Sequence, residues 1–457
     1  MPVDHLPPMR GDGDPIGPAD ERRPRVVIVG AGFGGLACAH ALRSAPVEIV
    51  VVDQHNYHVF TPFLYQLATA LLEPSETAYP VRALLRRVPN AQFRLAEVTD
   101  VDLETRVVHT DRGPLDYHYL VLAAGAVNNY FGNRDIAERS LGLNDLPEAL
   151  ELRNTVLARF ERAAWATDAQ ERKRLLSFAV VGGGPTGTEF AAALAELVHG
   201  AQRRDYPHLD VSEVEVTLVE ASDGPLPPYS PRLQRAAQRA LERKGVRILS
   251  DATASKIERE GLGLKDGRTI PAATVVWAAG VRAAPLGDEL GLEQGSHHRL
   301  KVSPSLQVPG HPEVFAIGDL AEVPDGDGSL PMLAQVALQS GKQAGRSIAA
   351  LLRGDQPGAL RYHDLGSMAT QGRNQAVAQI GPVKLSGFVG WLAWLVVHIV
   401  RSEGLRTRAS VLANWISGYL FRDRPIRLIA VPRTPDPTPD HDSDRPAAAP
   451  GGEGSPD

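Results

Sequence analysis

The chain has 457 residues, 43% of them hydrophobic and 22% charged, and a formal net charge of −6. That length supports two or three domains with cores of their own, and the composition is ordinary for a globular protein. The negative balance argues against nucleic acid as a partner. The single cysteine, Cys38, excludes a disulfide framework and a Cys-x-x-Cys redox pair, and the 14 scattered histidines show no metal-ligand spacing, so no metal is expected.

Residues 1–24 are rich in Pro, Gly and Asp without an apolar run, and read as a disordered tail rather than a signal peptide. From Arg25 the pattern becomes strand, turn, helix, strand. Val26–Val29 is a β-branched run that leads into Gly30-Ala31-Gly32-Phe33-Gly34-Gly35, and a small-residue helix over Leu36–Leu42 follows. Cys38 lies in that helix and reads as a buried small hydrophobe. The next apolar run closes on Asp53. Glycines permit the tight turn and close approach of backbone to a pyrophosphate, the helix N-terminus offers free N–H groups, and an acid ending the second strand accepts from ribose hydroxyls. A third apolar strand, Tyr119–Leu122, runs into Ala123-Ala124-Gly125, where a sheet would approach a ligand.

A helix is expected over Leu146–Ala166. The same grammar then recurs about 150 residues downstream. Phe178–Val181 leads into Gly182-Gly183-Gly184-Pro185-Thr186-Gly187, an apolar helical face follows (Phe190, Ala191, Leu194, Leu197, Val198), and Val216–Val219 closes on Glu220. The extra segment Arg203–Ser212 accounts for the long spacing between Gly187 and Glu220. Val275–Ala279 ends on Gly280, mirroring Gly125. One glycine fingerprint is weak evidence, but two in strand–turn–helix context are strong evidence. Two adenine dinucleotides in one chain imply a hydride passed between them, as in a flavoprotein reduced by a nicotinamide. Glu220 would repel a 2′-phosphate, and Ala221-Ser222-Asp223-Gly224 offers no arginine to bind one, which predicts NADH over NADPH.

A buried strand, Val314–Ile317, ends in Gly318-Asp319, and a helix is expected over Leu333–Leu352. Asp319 is placed against the flavin's ribityl chain or pyrophosphate, with the following helix aimed at the flavin ring. Glu189, in the first turn of the second crossover helix, is either a favourable partner of the helix dipole or a group orienting the nicotinamide or flavin face. The expected fold is α/β, with two Rossmann-like dinucleotide-binding domains and a C-terminal helical docking segment. The FAD domain comprises 25–128 and 282–345, interrupted by an NADH domain over 129–281. Residues 346–431 form the docking domain, and 432–457 form a second disordered tail.

Several runs resemble the type II NADH dehydrogenases, the non-pumping NADH:quinone oxidoreductases. Asn56-Tyr57-His58-Val59-Phe60-Thr61-Pro62-Phe63-Leu64-Tyr65-Gln66 is similar to that family's loop beside the isoalloxazine, which places His58 and Pro62 at the flavin. Gly184-Pro185-Thr186-Gly187-Thr188-Glu189 resembles its nicotinamide turn. Ala334-Gln335-Val336-Ala337-Leu338-Gln339 resembles its quinone-site helix. The resemblance covers about Arg25 to Leu428. It implies FAD in the first unit and NADH in the second, hydride transfer from nicotinamide C4 to flavin N5, and two-electron reduction of a membrane quinone without proton pumping. It further implies that Gln335 and Gln339 face the quinone and that Glu189 sits near the nicotinamide. Bottom-up, the two glutamines share a helical face.

The segment Gly387–Ile399 and the residues Val411, Leu412, Trp415, Ile416 and Tyr419 resemble the family's docking part. Trp391, Trp394, Leu395 and His398 share one helical face, and arginines 401, 406, 408, 422, 424 and 427 suit an interfacial helix on anionic lipid. Phe388–Val400, about 13 residues, is short of the roughly 18–20 needed to span a bilayer. The expected location is therefore peripheral, on the cytoplasmic face of the cell membrane. A dimer interface or plain core is the other reading of this segment. A soluble NADH-dependent diaphorase with another acceptor and a slow-turnover redox sensor remain alternative functions.

Overall fold

The computed structural model describes residues 23–402 and 404–421, together with 424 and 426–429. The tail expectations, and the one resting on Arg422, lie outside the described residues, apart from positions 23 and 24.

The first unit begins with β1 (Arg25–Val29), buried along its whole length, and α1 (Phe33–Ala41), then β2 (Glu48–Asp53). Two short helices follow, α2 (Leu64–Ala68) and α3 (Pro74–Thr77), before β3 (Ala91–Leu95) and β4 (Tyr119–Leu122). The long α4 (Leu146–Trp165) carries the chain to the second unit, N-capped by the Asp145 carboxylate, which accepts from the Glu148 N–H. That unit contains β5 (Ser177–Val181), α5 (Pro185–Leu197), β6 (Glu215–Val219), β7 (Val246–Leu249) and β8 (Thr274–Trp277), in a fully parallel sheet ordered β7-β6-β5-β8. The chain then returns to the first sheet through β9 (Gln307–Val308) and β10 (His311–Ala316). The first sheet is ordered β9-β10-β4-β1-β2-β3, parallel except at its β9 edge. Parallel strands covered on both faces read as unbroken Val/Ile/Leu runs, as the central β1, β2 and β4 do.

Helix α6 (Ala334–Leu351) packs on α1 at very short range. A Cβ on Gly341 would lie 2.1 Å from the Gly34 carbonyl oxygen, so only glycine permits this crossing. Cys38 lies buried in the same layer, and burial lifts its thiol to about 12, which leaves it an inert hydrophobe.

The C-terminal part holds an antiparallel sheet absent from the sequence expectations: β11 (Ser367–Thr370), β12 (Ala376–Ile380) and β13 (Val383–Ser386). Two more three-stranded antiparallel ribbons, over 98–116 and 254–271, decorate the two units. Helices α7 (Gly387–Arg401) and α8 (Leu405–Phe421) follow. No helix among the described residues is long and apolar enough to cross a membrane.

Two docking expectations are corrected here. The face of α7 bearing Trp394 and His398 turns inward. Trp394 is fully buried, stacked on His398 at 4.1 Å and packed near Phe63, Tyr65 and Trp415. The exposed apolar row is the opposite one, with Phe388, Val389, Leu392, Val396 and Val400 all about half exposed or more. Periodicity identifies residues that share a face but not which way the face points. Three of the six arginines are corrected as well, while Arg401 and Arg406 stay exposed and Arg422 lies outside the described residues. Arg424 is buried and donates to the Thr69 carbonyl, Arg427 pairs with Asp205, and Arg408 folds back on the Val400 and Ser402 carbonyls. Cations engaged in this way are not displayed to lipid.

Candidate active site

Each glycine turn is gripped by its own acid. In the first unit Gly30 sits at φ +107°, and a Cβ there would lie 2.2 Å from the Ala123 carbonyl oxygen, just before Ala124 and Gly125. The Ala31 N–H donates to Asp53 Oδ2 at 2.7 Å, and the His55 N–H donates to Oδ1 at 2.7 Å. The Ala31 carbonyl faces His58 Nδ1 at 3.2 Å, so Asp53 and His58 hold the two peptide groups on either side of the Ala31 Cα. Burial pushes the Asp53 carboxyl up and holds His58 neutral, at about 4. Gly35 passes so close to Gly30 that a Cβ would overlap its carbonyl, whereas Gly32, the N-cap of α1, faces open space and no side chain caps that helix end. The open glycine and uncapped N–H groups fit a pyrophosphate.

The second unit repeats the arrangement. Gly182 sits at φ +109°, with the Ala278 carbonyl where its Cβ would go. The Gly183 N–H donates to Glu220 Oε2 at 2.5 Å, while the Ser222 N–H and hydroxyl both donate to Oε1 at 2.8 Å. Gly187 is pressed on Gly182, and Gly184 is the open N-cap of α5, with Pro185 pre-setting the first helical φ. Gly125 and Gly280 follow the two mirrored strands, at φ +73° and +132°.

Gly318, at φ +65°, lies against Ala337 on α6, and its N–H donates to the Ser340 hydroxyl at 3.1 Å. Asp319 Oδ1 is buried without a hydrogen-bond partner, and burial lifts that carboxyl to about 6. A buried acceptor lacking a donor is what a ribityl or ribose hydroxyl would satisfy, so the first site fits FAD. Ala334 is the first residue of α6, which has no side-chain cap, and Pro62 lies in the short turn Thr61–Phe63, next in sequence to the buried Phe63.

Gln335 and Gln339 both engage the segment leading to β11. The Leu365 N–H donates to Gln335 Oε1 at 2.8 Å, and Gln335 Nε2 donates to the Gly366 carbonyl at 3.3 Å. Gln339 exchanges a pair of 2.9 Å bonds with the His363 backbone. At the far end of β11 the Thr370 N–H donates to Glu189 Oε1 at 3.0 Å. The continuous stretch 363–370, β11 and the segment before it, therefore links all three residues expected to be catalytic. Burial lifts the Glu189 carboxyl to about 8, which keeps it protonated at neutral pH.

Beside Thr370 opens a cavity of about 350 Å³ between α2, α5, α7 and α8. Tyr65, Trp391, Trp394, Trp415 and Tyr419 contribute its aromatic wall. Its charged wall is an interlocked set: Lys244 Nζ meets Glu196 Oε1 at 2.6 Å, the Arg373 N–H donates to the same oxygen, and buried Arg424 approaches Oε2 at 3.5 Å. Sequence reasoning missed Glu196, Lys244, Thr370 and Arg373, which lie apart in the chain and follow no motif. The one available signal was the density of Trp residues after 390. Among the described residues no cluster of His, Cys, Asp or Glu could hold a metal ion.

Residues 24–341 match the pyridine nucleotide-disulphide oxidoreductase family. The chain is 40% identical to the type II NADH:quinone oxidoreductase Ndh of Mycobacterium tuberculosis, over 88% of this chain and 89% of that one. It is equally similar to NdhA of the same organism, at 40% identity with 88% of each covered. The fold matches NDH2 from Plasmodium falciparum in complex with NADH, with TM-score 0.82 and 19% identity, covering 88% of this chain and all of that one. The match is looser to the sulfide:quinone oxidoreductase of Aquifex aeolicus, at TM-score 0.67 and 18% identity, with 88% and 96% covered. Two glycine cradles each closed by an acid, a fold shared with NDH2, and 40% identity along nearly the whole chain lead to one assignment: the chain belongs to the type II NADH:quinone oxidoreductases of the pyridine nucleotide-disulphide oxidoreductase family.

Proposed function

We propose that the first cradle holds FAD and the second NADH, and that the chain carries electrons from NADH to a membrane quinone without pumping protons. When bound, FAD accepts a hydride from NADH and returns two electrons to the quinone. The observation that carries this reading is the paired grip of Asp53 on Ala31 and of Glu220 on Gly183. Each acid fixes its glycine turn and leaves the helix N-terminus open to a pyrophosphate. Cys38, inert and buried, supports electron transfer without thiol chemistry.

The residue assignments follow. Gly30, Gly32, Gly34, Gly35, Asp53, His58, Pro62, Ala124, Gly125, Gly318, Asp319 and Ala334 shape the FAD site. Gly182, Gly184, Gly187, Glu220 and Gly280 shape the NADH site. Gln335 and Gln339 hold the 363–366 segment that leads into β11, whose Thr370 lines the aromatic cavity, and protonated Glu189, bonded to the Thr370 N–H, supplies a proton as the quinone is reduced. The aromatic cavity beside Thr370 takes the flat quinone ring. We assign 25–128 with 282–345 to the FAD domain, 129–281 to the NADH domain and 346–431 to docking. The exposed apolar row of α7 meets lipid at the cytoplasmic face, and a homodimer through that row is the competing occupant.

The test is steady-state NADH oxidation by purified, FAD-loaded enzyme with a short-chain quinone. One quinol formed per NADH is expected. NADH consumption with peroxide as the product and no quinol would refute the assignment.

A further inference from the structure

A second concavity, a groove of about 860 Å³, lies away from the aromatic cavity, between α1, α6 and the start of α8. Four exposed cations converge on it from separate parts of the chain. Arg43 follows α1, Arg87 follows the short helix Val81–Leu85, and Lys342 and Arg346 project from α6. Lys342 and Arg346 stand one helical turn apart, an arrangement that is mutually repulsive unless an anion intervenes. None of the four has an acidic partner among the described residues. Some cations elsewhere in the chain are paired, such as Arg25 with Glu48 and Asp116, Arg172 with Glu213 and Lys301 with Glu293, so what sets these four apart is their convergence on one groove. No Asp or Glu lines the groove among the described residues.

Apolar Leu36, Leu84 and Leu338 line the same groove as the cations, and its inner end reaches His58, beside the FAD cradle. Leu405, the first residue of α8, stands 83% exposed at the rim. A bare anion gains nothing from this apolar lining, whereas an amphiphile with an anionic head and a hydrocarbon chain matches both halves. We propose that this groove binds the phosphate of an anionic phospholipid, with an acyl chain on Leu36, Leu84 and Leu338. It supplies an electrostatic part of membrane attachment that Arg424 and Arg427 do not; Arg408 also lines the groove, with its guanidinium bonded to the Val400 and Ser402 carbonyls. The lipid as source of the phosphate rests on reading the chain as a membrane-surface enzyme, but the site itself does not.

The test is flotation of full-length, FAD-loaded enzyme with phosphatidylcholine vesicles, with and without phosphatidylglycerol. Arg43→Gln, Lys342→Gln and Arg346→Gln together should lower partitioning onto phosphatidylglycerol vesicles about a hundredfold, roughly fivefold per cation. They should leave turnover with a soluble short-chain quinone unchanged. A control with the same charge change, Arg247→Gln, Arg259→Gln and Lys265→Gln in the second unit, should lose far less. Equal loss in both variants, no loss in the first, or the same loss on pure phosphatidylcholine would overturn the proposal. Release of wild-type enzyme by inorganic phosphate at matched ionic strength would reassign the groove to a free anion. Intact vesicle binding with lost turnover of a long-chain quinone would reassign it to the quinone tail. Failure of the soluble assay in wild type would refute the enzyme reading instead.

Discussion

Replacing Glu189 by Gln tests the protonated carboxyl directly. Gln has nearly the same shape, can accept the 3.0 Å bond from the Thr370 N–H, and is neutral at every pH. Burial raises the Glu189 carboxyl from the ordinary 4.5 to about 8. In the unfolded chain the group ionises near the ordinary value, whereas in the folded chain it resists ionisation. Its contribution to stability is therefore fully present below pH 4.5, declines as pH rises from there, and is lost once pH passes about 8. The gap between 4.5 and about 8, at 1.36 kcal/mol per decade of proton affinity, amounts to at most about 5 kcal/mol. Glu189→Gln should thus match wild type near pH 5 and grow progressively more stable than it toward pH 8.5. Denaturation midpoints of the FAD-loaded proteins across that range give the answer, read as differences because a two-unit chain need not unfold in one step. A stability difference that stays constant with pH would refute the buried, protonated carboxyl. The same variant should slow quinone reduction by roughly 10²–10⁴-fold, the usual span for loss of a general acid, with flavin reduction by NADH little changed.

Glu220→Arg should remove the acceptor for the Gly183 and Ser222 N–H groups and place a cation beside the ribose, shifting the NADH-to-NADPH preference toward NADPH; an unchanged kcat/KM ratio would count against the second cradle. Gln335→Leu leaves the Leu365 N–H and Gly366 carbonyl without their partner; Leu365 is exposed and Gly366 partly so, and the expected loss is about 0.5–1.5 kcal/mol per bond. Quinone reduction should fall while flavin reduction by NADH persists, and equal loss of both half-reactions would place the residue elsewhere. Cys38→Ala should keep both half-reactions. Their loss with FAD still bound would point to thiol chemistry that the buried, high-pKa side chain argues against.

The fold's core was legible because two local grammars are each written out in full. A β-branched run, a glycine turn and an acid one strand later dictate β1-α1-β2 and β5-α5-β6, and Asp53 and Glu220 close on their turns through hydrogen bonds that only those positions reach. The return of β10 to the first sheet also follows from a buried apolar run ending in Gly318. The antiparallel ribbons were not legible. Their strands are short, interrupted by glycine, and alternate on a single face, so no periodic signal exceeds the turns between them. The orientation of α7 was not legible either. Trp394 reads as an interfacial aromatic until Phe63, Tyr65 and Trp415, which lie far from it in sequence, are seen to surround it. Arg424 and Glu196 meet only because α5 and the chain's end fold together, which no spacing encodes. In the site, the nucleotide cradles were readable as motifs. The engagement of Gln335, Gln339 and Glu189 with β11 and the 363–366 segment before it was not, because it depends on a sheet the sequence did not announce.

The measurement that bears most directly on the account is stopped-flow spectroscopy of the FAD-loaded enzyme in two steps, first anaerobic mixing with NADH, then mixing of the reduced enzyme with a short-chain quinone. The account predicts rapid bleaching of the flavin by NADH and rapid return of the oxidised spectrum with quinone. Bleaching followed by recovery only with oxygen or artificial dyes would contradict it and leave a flavoprotein whose acceptor is not a quinone.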